Sequence, residues 1–337
     1  MSYEIARETI GLNSTPRLAH TEYSSNDAIV RRIGEDQFDR WFELDLLWTV
    51  DDGPINWGEA GRITDMGHAV YVEDGSDKRD KGQCPFENMS EIWEFDAVEE
   101  YGMPDFDELV RYYEDLHQKQ QKTNPDKLMP GGYYKTLISG AIDVFGWDML
   151  LRAAADMDKF DRVLETIFQR SLFHYRAWAE TSIDAFICHD DIVWSAGAFM
   201  HPESYRQSVF PRFAQLWKPL REAGIKVLYC SDGDFTEFVD DLAAAGADGF
   251  IFEPRMDLDM MVEKFGDTHV LVGSKVDCRT MTYGSQEDIR DQIDRTLPLA
   301  FQCPGFIFAV GNHIPANVPA ENVEFYINYL KDNWHRP

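Results

Sequence analysis

The chain has 337 residues, 44% of them hydrophobic and 13% aromatic, so it can bury the core of one large domain. Its 60 acidic side chains outnumber its 32 basic ones and give a formal net charge of -28 at pH 7. A surface of that sign repels nucleic acid and anionic membranes, and we expect the protein to bind neither.

The sequence also lacks the usual marks of membrane insertion and secretion. No apolar run reaches the roughly 18 residues that a membrane-spanning helix needs, and the first residues contain no apolar core of a signal peptide. The five cysteines are odd in number and widely spaced. This spacing argues against a disulfide framework, and we expect reduced thiols in a cytoplasmic protein.

Short apolar runs alternate with helical patterns along the whole chain, as in consecutive strand–helix units. The predicted strands are residues 18–23, 44–50, 128–134, 185–191, 225–230, 250–252, 269–273 and 305–310. The predicted helices are residues 38–41, 106–121, 138–155, 159–183, 202–223, 234–245, 258–265, 286–300 and 319–332. Residues 55–90 contain a predicted hairpin near 69–75, and we interpret them as an inserted hairpin or lid.

Polar residues follow the predicted strands rather than precede them. This order is typical of a (β/α)8 barrel, which builds its site at the carboxy-terminal face. An open doubly wound sheet usually carries a glycine-rich phosphate loop after its first strand, and this sequence has none. We therefore predict an α/β fold in which residues 1–337 form a single (β/α)8 TIM barrel with a hairpin excursion near the N-terminus.

The stretch Ile225 to Asp234 is the most informative part of the sequence. An apolar strand ends there in a thiol, Cys230, and a carboxylate, Asp232. Because carboxylates are rarely buried without partners, the strand is expected to deliver ligands or catalytic groups into a pocket. The alternative is that Asp232 only caps the helix that follows.

Four residues after the fifth, sixth and eighth predicted strands are candidate metal ligands. They are Cys230, Asp232, Glu253 and His313. Zinc accepts sulfur, imidazole nitrogen and carboxylate oxygen, and a catalytic zinc keeps one position open. The alternative for Glu253 is an ion pair with an arginine, and for His313 an ordinary place in a loop.

The fourth predicted strand ends in His189, Asp190 and Asp191. One carboxylate there could act as an acid or base, or orient a metal ligand; the alternative is a helix cap. Further candidates for substrate binding are His189 itself, Glu22 after the first strand, and the aromatic residues Tyr133, Tyr134 and Trp194. Those aromatic residues could form a slot for a ring or belong to the core.

The second half of the chain resembles the uroporphyrinogen decarboxylase superfamily. The matching stretches are residues 185–191 with the helix from Pro202, 227–234, 246–248, 273–277 and 311–323. The resemblance implies a (β/α)8 barrel and one of two activities. The namesake enzymes decarboxylate acidic porphyrinogens without a cofactor, and the other branch consists of zinc-dependent methyltransferases that serve corrinoid proteins.

Two departures bear on the choice between these branches. The decarboxylases hold their substrate in part through a Gln-Ala-Gly-Arg stretch, which is absent here; the corresponding region contains Glu22. With a net charge of -28, the protein would repel a polycarboxylate. In the methyltransferase branch, alignment on Gly233 puts Cys230 and Asp232 at the usual His and Cys positions, and Asn312 stands where a second Cys is expected.

The chain looks closer to the methyltransferase components of O-demethylase systems, and residues 131–135 and 189–191 contribute to this resemblance. The resemblance implies transfer of a methyl group from a phenyl methyl ether to the Co(I) of a partner corrinoid protein. Zinc or a general acid would activate the leaving oxygen, with Asp190, Asp191 and Asp232 as catalytic candidates. The alternative is a cofactor-free decarboxylase of a porphyrinogen-like substrate.

Some relatives carry a zinc-associated pattern that this chain contains as Glu165, Glu180 and His201. One continuous helix over residues 159–183 would separate the two glutamates by about 22 Å. We therefore predict that these three are surface residues.

Overall fold

The computed structural model describes residues 2–24, 27–34, 41–64, 70–71, 77–78, 83–194, 197–311 and 313–337. Seven parallel strands form one curled sheet in the order β1-β11-β10-β9-β8-β5-β4. They are β1 (Ala19–His20), β4 (Gly131–Tyr133), β5 (Ala185–His189), β8 (Lys226–Cys230), β9 (Gly249–Ile251), β10 (Val270–Gly273) and β11 (Phe306–Phe308). Two antiparallel pairs lie outside this sheet, β2 (Val70–Tyr71) with β3 (Asp77–Lys78) and β6 (Val193–Trp194) with β7 (Gly197–Ala198).

Helices separate the strands, as the sequence predicts. Before β4 they are α1 (Ser2–Ile10), α2 (Asp27–Ile33), α3 (Trp57–Ala60), α4 (Met89–Trp93), α5 (Ala97–Tyr101) and α6 (Phe106–Thr123). Between β4 and β8 they are α7 (Ile138–Ala154), α8 (Met157–Ala179), α9 (Pro202–Ser204) and α10 (Phe210–Glu222), with a π-helical turn at Tyr205–Val209. After β8 they are a 3-10 turn (Thr236–Phe238), α11 (Val239–Ala245), α12 (Leu258–Phe265), α13 (Cys278–Tyr283), α14 (Gln286–Ala300) and α15 (Ala320–Asn333).

The prediction of a regular second strand over residues 44–50 is wrong. The segment instead bridges the two edges of the sheet: the Asp45 N–H donates to the His20 carbonyl of β1 at 2.8 Å, and the Leu47 N–H donates to the Leu128 carbonyl at 3.1 Å. A side chain interrupts the ladder, because the Asp45 carboxylate accepts the His20 N–H at 3.0 Å. The segment thus takes the place of the eighth strand without its regular pairing.

The other side of this segment is irregular for a second reason. Pro130 precedes β4 and has no N–H to donate to a ladder. Its carbonyl oxygen accepts a hydrogen bond from the Thr49 hydroxyl instead. The architecture is therefore the predicted TIM-barrel type, with seven strands in the sheet and an irregular segment that joins its edges.

The inward-facing side chains form one buried cluster, separate from the layer between sheet and helices. The helix α1, which the sequence analysis did not predict, adds Ala6 and Ile10 to this cluster. The Tyr3 hydroxyl donates to the carboxylate of Asp184, which directly precedes β5, at 2.9 Å. Because that contact lies where β5 begins, α1 covers the amino-terminal end of the barrel.

The inserted region is described only in part. The pairing of Val70 and Tyr71 with Asp77 and Lys78 lies close to the predicted hairpin, whose residues 72–75 fall outside the described residues. Residues 38–40 of the predicted short helix also fall outside them. The interpretation of residues 55–90 as a lid stays a prediction. Among the described helices, none is long and apolar enough to cross a membrane.

A series of hydrogen-bonded polar side chains is buried in the helix layer around His174 of α8. Arg170 donates through Nη1 to His174 Nε2 at 2.7 Å, and the Tyr113 hydroxyl lies 2.7 Å from His174 Nδ1. Because a guanidinium only donates, Nε2 must be the acceptor and the proton of the neutral ring sits on Nδ1. Burial and the Arg170 charge keep the ring neutral, since both hold the pKa of His174 well below its usual value.

The unprotonated His174 should make stability depend on pH. Below about pH 6.5 an unfolded histidine takes up a proton that the folded His174 refuses, so the free energy of unfolding should fall as the pH drops. The expected slope from this residue is about 1.4 kcal/mol per pH unit. Urea unfolding between pH 7 and 5.5 measures it, and His174→Gln should show a correspondingly flatter profile than the wild type. Identical profiles would contradict the assignment.

Candidate functional site

The strands β5 and β8 lie side by side and end at the carboxy-terminal face of the barrel. Their register pairs His189 with Cys230. Side chains alternate between the two faces of a strand, and Ala185, Ile187 and Cys230 belong to the barrel interior. His189 therefore faces the interior as well, and so does Asp191 two residues later.

Asp232 stands two residues after Cys230 and completes a cluster with these two side chains. One ligand atom from each of His189, Asp191 and Asp232 lies within 4.8 Å of the other two. His189 Nε2 lies 3.2 Å from Asp191 Oδ1, and that oxygen accepts the main-chain N–H of Asp232 at 2.9 Å. His189 and Asp232 are half-buried and Asp191 is buried, so the cluster sits in the barrel mouth.

The acidic side chains around His189 and its burial act on its pKa in opposite directions. Burial lowers the pKa of His189, but the charges of Asp191, Asp232 and Asp190 and the hydrogen bond to Asp191 outweigh it, and the net pKa is raised. The same acidic field would attract a bound cation. The Tyr134 ring meets the His189 ring edge-on at 4.6 Å and supplies an aromatic wall beside the cluster.

The turn after β5 is held by the amino terminus of α7. Asp190 Oδ1 accepts the Ser139 N–H at 2.6 Å, and the Ser139 hydroxyl accepts the Asp191 N–H at 2.8 Å. Burial raises the pKa of Asp190 to about 7, against the opposing hydrogen bonds of the helix terminus. Asp190 thus fixes the position of Asp191, while its own side chain points away from the cluster.

The carboxylate of Asp234 caps the helical turn that follows Asp232. The N–H of Thr236 donates to Asp234 Oδ1 at 3.0 Å, so Asp234 performs that role. Next to Asp232, the Gly233 N–H donates to Glu253 Oε2 at 2.7 Å. This hydrogen bond brings Glu253, at the end of β9, to the edge of the cluster.

The other predicted zinc ligands lie near the cluster or across the mouth from it. Of the predicted set, only Asp232 belongs to the three-residue group. Cys230 is buried beneath it; burial, together with the charges of Asp232 and Asp191, raises the pKa of its thiol well above the usual value. His313 packs edge-on against Tyr23 at 5.8 Å, and Asn312 lies outside the described residues.

Three other candidates lie on the outer face of the strands. Glu22 is buried, contacts His20 Nε2 at 3.0 Å and accepts a hydrogen bond from the Tyr326 hydroxyl. Tyr133 pairs in register with Cys188 and lies fully buried under α8, 4.9 Å from the His174 ring. Asp190 is the third candidate on the outer face. The roles predicted for Glu22 and Tyr133 in substrate binding stay predictions, but neither joins the cluster.

Trp194 is 46% exposed and lies beside Trp147, with the ring centres 5.8 Å apart. It follows β5 on the β6–β7 hairpin, so its exposed ring borders the barrel mouth.

Sequence reasoning missed that His189 and Asp191 lie within metal-binding distance of Asp232. The signal was present in the repeated spacing, because both strands carry a polar ligand two residues before a carboxylate.

The pattern Glu165, Glu180 and His201 does not form a site. Glu165 and Glu180 belong to one continuous helix and its carboxy-terminal cap. Glu165 pairs with Arg212 at 3.0 Å, and His201 caps α9 through the Glu203 N–H. The prediction that these are surface residues agrees with this arrangement.

The donor set of the cluster suits a divalent metal ion. One imidazole and two carboxylates are ligands that zinc accepts, and catalytic zinc sites commonly have three protein ligands. The three donors converge from two adjacent strand ends, and the Ser139–Asp191 hydrogen bond fixes one of them. His189, Asp191 and Asp232 could therefore hold a metal ion with a position open to the barrel mouth.

Comparison with known proteins gives a family match. The family model described as uroporphyrinogen decarboxylase (URO-D) matches residues 147–332, more than half of the chain. A uroporphyrinogen decarboxylase from Pelobacter propionicus is 28% identical over 174 residues, 52% of this chain and 49% of that protein. One from Carboxydothermus hydrogenoformans is 27% identical over 135 residues, 40% and 37% of the two chains. The chain thus aligns with about half or less of the length of these curated relatives.

The fold has a solved counterpart. The structure of a methyltransferase from Methanosarcina mazei matches with a TM-score of 0.68 and 16% identity, and the match covers 97% of both chains. At that identity the likeness concerns the fold. It extends over the amino-terminal half as well, which the family model does not match.

Proposed function

The chain belongs to the uroporphyrinogen decarboxylase family, and from this premise we propose that it is a methyltransferase. It transfers a methyl group from a phenyl methyl ether to the Co(I) of a partner corrinoid protein, in the cytoplasm. The observation that carries the proposal is the convergence of His189, Asp191 and Asp232 at the barrel mouth. A likeness in fold to a methyltransferase supports it.

The chemistry needs such a cluster. Displacement at the methyl carbon expels a phenolate, which leaves readily only if its oxygen is protonated or bound to a Lewis acid. A zinc ion held by His189, Asp191 and Asp232 would withdraw electron density from the ether oxygen. The residues themselves bind the cation, orient it and keep it in the open mouth, where the partner can reach the methyl group.

Residues around the cluster would bind the aromatic ring of the substrate and hold Asp191 in position. The Tyr134 ring, edge-on to His189, and the exposed Trp194 ring offer aromatic surface for the ring of the ether. Ser139 and Asp190 hold Asp191 in place through the amino terminus of α7. Positioning of this kind matters because displacement requires the reacting atoms to be aligned.

The alternative is decarboxylation, the activity for which the relatives from Pelobacter propionicus and Carboxydothermus hydrogenoformans are named. It would require cationic groups for an acidic substrate. Three carboxylates, Asp191, Asp232 and Glu253, lie together at the ends of β5, β8 and β9 and would repel a polycarboxylate. Methyl transfer is therefore the better fit.

The test is metal analysis of the purified protein together with a methyl-transfer assay on a panel of aryl methyl ethers, with reduced corrinoid protein supplied. We expect about one divalent ion per chain and transfer that is lost with a chelator and restored by zinc. Asp191→Asn should lower metal affinity, and Glu165→Gln, remote from the mouth, should not. Full transfer by metal-free protein, or turnover of a porphyrinogen instead of the ethers, would contradict the proposal.

A further inference from the structure

Three arginines are buried among the described residues, and one of them has no carboxylate partner. Arg17 Nη1 lies 2.6 Å from Asp45, and Arg212 Nη1 lies 2.7 Å from Asp161. Arg170 is fully buried, and its single hydrogen bond goes to the neutral His174 ring. A guanidinium is permanently charged, so this charge is buried without the compensation that the other two receive.

The unmet hydrogen-bonding groups around Arg170 are all donors or hydroxyls. The Nε and Nη2 groups of Arg170 have no hydrogen-bond partner, and neither has the indole N–H of Trp57. The Trp57 ring centre lies 5.4 Å from the Arg170 guanidinium carbon. The Tyr133 hydroxyl is also without a partner, and the Arg170 charge opposes the effect of burial, which raises the pKa of Tyr133.

Two acids in the same region, Asp143 and Asp52, hydrogen-bond to other groups. Asp143 pairs with Lys135 at 2.9 Å, and Asp52 Oδ1 accepts the main-chain N–H groups of Tyr134 and Lys135. Neither hydrogen-bonds to Arg170. These carboxylates therefore do not form an ion pair with Arg170.

We propose that Arg170, with the Trp57 indole N–H and the Tyr133 hydroxyl, binds a small monovalent anion of the halide class inside the helix layer. An anion accepts hydrogen bonds without needing acceptors of its own, which matches surroundings rich in donors. A water molecule in the same place would have to donate two hydrogen bonds as well. A single negative charge balances the single guanidinium, whereas a polyvalent oxyanion would leave excess charge in the interior.

The site would be structural and independent of methyl transfer. It would stabilise the contact of α8 with β4 and with α3, which begins at Trp57. Because the anion binds only the folded state, stability should rise with its concentration.

Thermal unfolding in sodium chloride and in sodium gluconate at equal ionic strength tests the proposal, since gluconate is too large for a buried site. We expect the Tm of the wild type to rise with the logarithm of chloride concentration and bromide to replace chloride. Arg170→Met should lose this response. The matched control is Arg212→Met, which removes a buried arginine that has carboxylate partners and should keep the response.

Equal Tm values in the two salts, or an equal chloride response in Arg170→Met, would overturn the site and indicate bound water or surface screening. If Arg170→Met does not fold, crystals of the wild type grown in bromide decide the question. An anomalous peak beside Arg170 Nη2 supports the site, and its absence refutes it. Neither result bears on the His189 cluster, so the two proposals fail separately.

Discussion

Asp232→Ala is expected to abolish methyl transfer and leave the fold intact. Asp232 supplies one of the three converging donors at the barrel mouth. Without it, the leaving oxygen loses the Lewis acid or the proton that stabilises its developing charge, and the rate should drop by about 10²–10⁴. The side chain is half-buried at an open mouth and has little packing to lose, so stability should change little.

Asp234→Ala is the matched control for this variant. Asp234 lies two residues away and caps the turn at Thr236 through a 3.0 Å hydrogen bond. Its removal should cost about 1 kcal/mol of stability and leave turnover nearly unchanged. Thermal melts and turnover of both variants therefore give opposite patterns, and a destabilised but fully active Asp232→Ala protein would refute the assignment of Asp232 to the site.

The sequence pointed to Asp232 as a metal ligand and to Asp191 as a catalytic residue, but it did not predict the cluster that these two form with His189. Apolar runs and the polar residues after them located β5 and β8, and both Asp191 and Asp232 were among the predicted catalytic residues. The sequence did not reveal which face of each strand points inward. That depends on register: His189 pairs with Cys230, whereas Tyr133 pairs with the outward-facing Cys188.

The alternation of side chains between the two faces of a strand also explains why Glu22 lies away from the cluster. Ala19 of β1 faces the interior, so Glu22, three residues later, lies on the opposite face and reaches Tyr326 of α15. The outward orientation of Glu22 would follow from the sequence if one knew which residue of β1 faces the interior. Both Ala19 and His20 are fully buried, however, and a strand buried on both faces shows no polar alternation from which to read its orientation.

The irregular segment over residues 44–51 was beyond sequence reasoning for a different reason. Its apolar residues match a strand, and its hydrogen bonds do run between β1 and the chain before β4. What prevents a regular ladder is the pairing of Asp45 with the His20 N–H and of Thr49 with the Pro130 carbonyl. These are contacts between distant parts of the chain, and local pattern does not encode them.

Gly132→Ala is expected to open the barrel between β4 and the segment over residues 44–51. A Cβ atom at Gly132 would overlap the Thr49 carbonyl oxygen, a main-chain atom that cannot move aside as a flexible side chain can. Either the segment over residues 44–51 must separate from β4 or β4 must shift, and both disturb the hydrogen bond from the Asp51 N–H to the Gly132 carbonyl. Overpacking against a rigid neighbour should cost about 3 kcal/mol in the free energy of unfolding.

Gly58→Ala is the control for the loss of a glycine as such. Gly58 lies in α3, where the nearest atom to an added Cβ is the flexible Ile63 Cδ1 at 3.2 Å. The gain in helix propensity should offset that contact and keep stability within about 0.5 kcal/mol of the wild type. Urea unfolding of both variants makes the comparison. If Gly132→Ala were as stable as Gly58→Ala, the segment would not pack against β4, and the edges of the sheet would have to be joined in another way.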